Sequence, residues 1–325
     1  MKMDRRHFLK MSGALAAAQL LEPQRAALGA PAPEIPPDSM GCLVDTTLCA
    51  GCRKCEEACN KRYSLPGPKE SFNEMTVLEN PRRPDETSYT VVNKYYPKHI
   101  GSLTWRNRPT FVKFQCMHCN EPSCVSACIV GAMSKQENWA VTYDPSKCIG
   151  CRYCMIACPF QVPAFEYHNA LTPQIRKCNF CFTYYKEGGL PACAQICPNE
   201  VMTFGKRSEL LDLARWKMKR RPGKYVNHIY GENEVGGTSW LYLASEPFAT
   251  IGFPKLGSKA PPRLTESIQH GLFQYMAAPI GLYLVLGGIM WATGYYTKYV
   301  ERQKQAGEEA SGKEASEKGG SHESQ

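Results

Sequence analysis

The sequence has no long block of Lys or Arg, although its formal net charge is +9 over 325 residues. Charge spread that thinly does not mark a nucleic-acid surface. It suits solubility and a scatter of basic residues beside a membrane. A Gly-rich phosphate loop is also missing. So is any recognisable set of nucleophile, base and orienting acid, so bond-making chemistry on a substrate is not indicated. "GGLP", Gly188 to Pro191, reads as a turn. Cysteine is what the chain does not lack. Seventeen of them are too dilute for a small disulfide scaffold and too many for chance.

Both ends read as address labels. Residues 1–30 follow the three-part layout of an export signal of the twin-arginine kind. Arg5 and Arg6 lead into Phe8, Leu9 and Lys10, an uncharged stretch runs from Met11 to Leu21, and small residues surround Ala26 to Ala30. Asp4 stands where such signals usually carry Ser or Thr. Near the other end, residues 271–297 contain no charged side chain. As a helix they would extend roughly 40 Å at about 1.5 Å per residue, enough to cross a bilayer with some tilt. Trp291, Tyr295, Tyr296 and Tyr299 crowd the far end like an interfacial belt, and Lys298, Arg302 and Lys304 favour a cytoplasmic tail over 298–325. From Gln305 onward the composition predicts disorder.

Sixteen cysteines fall into four quartets. Cys49, Cys52, Cys55 and Cys59 share one spacing with Cys148, Cys151, Cys154 and Cys158; Cys116, Cys119, Cys124 and Cys128 widen the middle gap; Cys178 and Cys181 are followed by Cys193 and Cys197. Three thiols at three-residue steps make poor disulfide partners for one another. Structural zinc usually draws its four ligands from two separated pairs. The spacing C-x2-C-x2-C-x3-C is that of bacterial ferredoxins, in which the first three thiols hold one [4Fe–4S] cluster and the fourth reaches across to another. Four [4Fe–4S] clusters are therefore expected. "WAVTYD", Trp139 to Asp144, predicts a strand joining the second and third quartets into one module, with the first and fourth pairing around it. Cys42, the odd one out, opens an apparent strand "CLVD" and reads as a buried free thiol.

The segments "DTTLCAGCRKCEEAC", "FQCMHCNEPSCVSAC", "KCIGCRYCMIACPFQVP" and "KCNFCFTYYKEGGLPACAQICPNEVMTFG" resemble the four-cluster ferredoxin-like subunits of membrane-bound oxidoreductases. The resemblance implies four ligand sets. Cys49, Cys52 and Cys55 would share a cluster with Cys197, and Cys178, Cys181 and Cys193 one with Cys59. Cys116, Cys119 and Cys124 would share one with Cys158, and Cys148, Cys151 and Cys154 one with Cys128. Ile129 stands where a proline often follows the second quartet. With "YGENEVGGTSWLYL", "ESIQHGLFQYMAAPIG" and the terminal span, the chain is similar over nearly its whole length to the Hyb-type iron–sulfur subunits of periplasmic [NiFe] uptake hydrogenases.

That resemblance implies an α+β fold: two nested double-[4Fe–4S] ferredoxin-like modules plus a single C-terminal transmembrane helix. The four-cluster domain would span 41–206, with a 108–165 module inserted in a 41–65/170–206 module, and 207–270 would form an extension towards the membrane. The implied role is non-catalytic electron transfer between the hydrogenase subunits and an integral membrane quinone-reducing subunit, at the periplasmic face of the cytoplasmic membrane. A molybdopterin oxidoreductase of formate, polysulfide or sulfoxide type is the alternative partner. The bilayer is an expected partner and nucleic acid is not. Twin-arginine export suits cargo that must carry its clusters across already folded. Arg53, Lys147, Arg152 and Lys177 lie beside cysteines, where they either raise cluster potentials or sit solvated at the surface. His118 reads as a neighbour of the clusters or a surface residue, and Phe114, Tyr153, Phe160 and Phe180 as shielding core. Residues 61–108, polar and proline-rich, read as a surface excursion.

Overall fold

The computed structural model describes residues 35–96, 109–262 and 279–305. The signal segment, residues 97–108, residues 263–278 and residues 306–325 lie outside these. Residues 29–266 form one compact unit, and the helix 279–305 belongs to a second.

In the first unit β1 (Met40–Asp45) is the organising strand. Five of its six residues are buried, because β1 lies in the middle of a three-stranded sheet. β8 (Met202–Lys206) pairs with it antiparallel and β9 (Trp240–Leu243) parallel, with Cys42 opposite Trp240. Helix α6 (Arg207–Arg220) packs on β1 and β8. Leu210, Leu211 and Ala214 meet Leu43, Ile229, Leu241 and Leu243 in a core without cysteine. β2 (Thr90–Tyr95) and β3 (Thr110–Gln115) form an antiparallel pair, with Val92 opposite Lys113.

The elements around the cysteines are shorter. They are α1 (Lys54–Tyr63), α2 (Ser123–Ser126), β4 (Met133–Lys135), β5 (Val141–Tyr143), α3 (Tyr153–Ala157), β6 (Ala164–Phe165), β7 (Ile175–Arg176), α4 (Phe182–Lys186) and α5 (Ala192–Gln195). α1 packs on α5 and α2 on α3. The hairpins β4–β5 and β6–β7 contribute three and two residue pairs.

Three expectations change. The strand "WAVTYD" begins only at Val141, because Trp139 sits in a turn at φ 71°. The excursion 61–108 is not all surface: Val91 and Val92 are buried in β2, where they face the core rather than water. Nor does the domain end at residue 206 with an arm beyond it. Trp240 to Leu243 are fully buried, because β1 would otherwise expose an unpaired edge, and β9 covers it.

In the second unit, α7 covers 279–305. It carries helix through residues 298–305, the start of the expected cytoplasmic tail, since Glu301, Arg302 and Lys304 are all good helix formers. Among the described residues no helix is long and apolar enough to cross a membrane. The first eight residues of the expected span, 271–278, lie outside those described.

Candidate metal centres

The cysteine loops are shaped by backbone conformations that few residues adopt cheaply. Asp45 caps the 3-10 turn ahead of Cys49 by accepting hydrogen bonds from Thr47 N (3.3 Å) and Oγ1 (2.6 Å). Asp144 does the same ahead of Cys148, with Ser146 N at 3.0 Å and Oγ at 2.7 Å. Gly51 (φ 72°) and Arg53 (φ 59°) then reverse the chain, and Gly150 (φ 71°) and Arg152 (φ 60°) repeat that reversal. A Cβ on Gly51 would meet the Phe111 ring at 2.4 Å, so only glycine fits there. In the other two loops His118 (φ 48°) and Phe180 (φ 58°) take the left-handed conformation. One local pattern therefore recurs: a left-handed residue between thiols curls each loop around a hollow.

Two hollows are built by exchange between the first and fourth quartets. Cys49, Cys52, Cys55 and Cys197 line one hollow. Cys59, Cys178, Cys181 and Cys193 line the other, together with Tyr63, Phe180 and Trp240. Helix α1 brings Cys55 to the first cavity and, one turn on, Cys59 to the second. α5 carries Cys193 in its first turn and is followed by Cys197, reversing the exchange.

The second and third quartets exchange in the same way across α2 and α3. Cys148, Cys151 and Cys154 line a hollow with Cys128. Cys116, Cys119, Cys124 and Cys158 form the other group. Burial raises the Cys119 thiol well above its ordinary range, and neighbouring Cys158, Cys116 and Cys124 add to the effect. Burial likewise pushes Cys124 up to about 12, with Cys116 and Cys158 among its neighbours. Thiols placed like this stay protonated unless a cation takes up the charge of the thiolate.

Backbone N–H groups already point at sulfur. Ala132 N and Met133 N donate to Cys128 Sγ at 3.2 and 3.4 Å, Gly150 N to Cys148 Sγ at 3.4 Å, and Phe180 N to Cys178 Sγ at 3.4 Å. Such bonds stabilise thiolate and tune reduction potential.

Several flanking residues lie elsewhere than their sequence neighbours suggest. Lys147 is exposed beside Asp144, and Arg152 is exposed with its guanidinium over the Phe165 ring. Arg53 is 1% exposed and bonded to Glu56, Ser71 O and Glu74 O. Lys177 is equally buried and donates to Val141 O and Cys178 O. His118 is inside, its Nδ1 accepting from Val141 N at 2.9 Å, so Nε2 carries the proton. Burial, with Lys177, Lys135 and Lys113 nearby, lowers its pKa far below the usual value, keeping it neutral. Phe160 and Phe180 are buried, whereas Tyr153 is 55% exposed: its side chain leaves the surface of the Cys148 loop instead of shielding it. Cys151 is exposed in that same loop, and Cys42 is fully buried in β1.

Two inward-facing lysines, Lys113 buried and Lys135 partly buried, carry no flag in the cysteine spacing. Burial works against the Lys113 ammonium, but Cys193, Cys55, Tyr242 and Cys178 around it carry the pKa above its ordinary value. Lys135 donates to Cys119 O at 2.5 Å, and burial lowers it to about 7 despite Cys119, Cys116 and Cys124. The single sequence-level sign of Lys113 is a lysine inside the otherwise apolar run "FVKF".

The donor set decides which group fits. All seventeen cysteines are free. Among the described residues no three or more His, Cys, Asp or Glu gather closely enough to hold a single metal ion. Zinc wants its thiolates at about 2.3 Å from one centre. Here the thiols stand around hollows, without carboxylate or imidazole among the donors, and the fully buried Trp240 Nε1 beside one hollow has no hydrogen-bond partner. A compact cube presenting sulfur outward suits both features.

Comparison with known proteins agrees with the chemistry. Residues 108–207 match the 4Fe-4S dicluster domain family, and residues 2–19 match the twin-arginine translocation pathway signal sequence. The chain is 44% identical over 310 residues to a protein of Nitratidesulfovibrio vulgaris, covering 94% of this chain and 80% of that one. It is 33% identical over 315 residues to the Hydrogenase-2 operon protein HybA of Escherichia coli O157:H7, covering 88% of this chain and 94% of that one. It is 32% identical over 219 residues to the nitrate-inducible formate dehydrogenase iron-sulfur subunit of Escherichia coli K12, covering 66% and 71%. Fold and donor set thus define a non-catalytic 4Fe-4S electron-transfer subunit of an oxidoreductase complex. Within that class the chain belongs to the Hyb-type iron–sulfur subunits.

Proposed function

We propose that the chain relays electrons one at a time through four [4Fe–4S] clusters, between a [NiFe] hydrogenase and a quinone-reactive integral membrane subunit. The ligand sets are Cys49, Cys52, Cys55 and Cys197; Cys59, Cys178, Cys181 and Cys193; Cys116, Cys119, Cys124 and Cys158; and Cys128, Cys148, Cys151 and Cys154. The observation that carries this reading is the exchange of thiols, in which three residues of one loop and one residue of its partner line a common cavity. Bound clusters would supply the one-electron chemistry. The chain's own part is to exclude water, hold the cubes close together and set their potentials through N–H···S bonds and buried charge.

The domain would work at the periplasmic face of the cytoplasmic membrane. The twin-arginine signal supports export, and the uncharged run 271–297 supports a single-pass anchor in which α7 is the later part. Likeness to the formate dehydrogenase subunit supports a second reading, in which a molybdopterin enzyme takes the place of the hydrogenase. That likeness covers 66% of the chain, against 88% for HybA, so the hydrogenase reading is preferred.

Protein purified without oxygen should hold about sixteen irons, at about four per cluster, with cubane signals in electron paramagnetic resonance after reduction. Cells lacking the chain should lose hydrogen-dependent quinone reduction. Stoichiometric zinc without iron would reject the clusters. Intact hydrogen-dependent quinone reduction would reject the hydrogenase partner.

A further inference from the structure

We infer that Lys113 is a fixed buried cation shared by two clusters, the Cys49/Cys52/Cys55/Cys197 cube and the Cys59/Cys178/Cys181/Cys193 cube, whose potentials it raises together. The inference rests on the cluster reading above and goes beyond it, because it assigns a potential-setting role to a residue that ligates nothing.

Lys113 lines both cavities. Its side chain leaves β3 into the interior and is 2% exposed. Its Nζ donates to Gln115 Oε1 at 2.7 Å and lies 4.3 Å from the centre of the Trp240 ring. Gln115 Nε2 donates in turn to Tyr242 Oη at 2.6 Å, and Tyr242 Oη donates to Lys113 O at 3.0 Å. This closed ring of bonds fixes the ammonium between the hollows. Among the described residues no carboxylate pairs with it, whereas buried Arg53 has Glu56. A buried charge without a counter-ion is costly. The thiolate-ligated cubes, themselves anions, are the counter-charges its position provides.

The consequence is electrostatic. Each cube gains one negative charge when it accepts an electron from the neighbouring redox group, which is oxidised in the same step. A cation at the wall favours the reduced form. Because one ammonium faces both hollows, it shifts both couples in the same direction.

The test is a potentiometric titration of the full-length, anaerobically purified chain, followed by electron paramagnetic resonance. Lys113→Met keeps the length and apolar stem but removes the charge. It should lower the reduction equilibrium constant of two clusters by tenfold or more, about 59 mV for a one-electron couple. The other two should be unmoved, and Lys113→Arg should retain wild-type values. Gln115→Glu places a carboxylate against the ammonium and should shift the same two clusters in the same direction. It carries the test where Lys113→Met fails to accumulate. Iron-loaded variants with four unchanged potentials, or with all four shifted alike, would overturn the role of Lys113 while leaving the relay standing. A wild-type chain without iron would overturn both.

Discussion

Glu56 is one carboxylate answering to two arginines. It is 1% exposed at its side chain, holds Arg53 at 3.0 Å and Arg82 at 2.6 Å, and accepts from Val92 N at 2.6 Å. Through those bonds the 71–92 segment is fastened to the first cysteine loop. Removing the shared partner leaves the buried Arg53 guanidinium without its counter-charge, takes the ion pair from half-buried Arg82 and strands one backbone N–H, and breaking a buried pair in this way costs about 3–5 kcal/mol. Glu56→Ala should therefore lower the denaturant midpoint of the iron-loaded chain sharply. Glu57→Ala, which removes pairs with Lys54 and Lys61 on an exposed helix face, should scarcely move it. Equal midpoints for the two variants would contradict this account. The sequence gives little warning of the difference. Glu56 and Glu57 are adjacent and chemically identical, and only the helical turn decides which one faces inward. For the same reason Arg53 and Lys177 could be read as solvated charges beside cysteines, since burial depends on segments folded over them from elsewhere in the chain.

At the scale of elements, legibility follows sequence distance. The quartets announce themselves because each loop keeps three thiols within seven, nine or sixteen residues, and left-handed Gly51 and Gly150 recur at matching positions. Strand β1 and helix α6 are visible for similar reasons. β9 is not, because it pairs with β1 from nearly 200 residues away, as in Cys42 with Trp240. Its run "WLYL" lacks the polar alternation of a half-exposed strand, as expected of one buried on both faces. Four fully buried side chains at about 2 kcal/mol each amount to much of a domain's net stability, about 5–15 kcal/mol. A chain ending at residue 206 should consequently be insoluble or empty of iron, although it retains all sixteen thiols of the four quartets. A chain ending at residue 262, which keeps β9, should be soluble and loaded. Soluble yield and iron per chain measure the difference. A loaded 206-residue product would show that β9 is dispensable.

Considered as a whole, the molecule divides its stability unequally. The β8–β1–β9 sheet and α6 enclose an apolar core whose buried residues are leucine, isoleucine and alanine. The region from Cys116 to Arg176 is built more lightly, although Met117, Phe160 and Val162 join the main core: its helices run four and five residues, and its two hairpins close with three and two pairs. Helices and hairpins that short do not persist in water by themselves. Their small core, Cys124, Met133, Val141, Cys154 and Ile175, is part thiol. On the cluster reading, ligation supplies there what packing supplies in the sheet, as structural metals do in other small modules. Iron removal should then not melt the chain evenly. Amide hydrogen exchange after anaerobic chelation should rise to near-unprotected rates across 116–176, while β1, β9 and α6 keep their protection for far longer. The order matters, because uniform loss across both regions would mean that the sheet, too, depends on metal. Unchanged protection across 116–176 would mean that those short elements stand without it, and the thiol cavities would then be hollows that the fold tolerates instead of sites that hold it together.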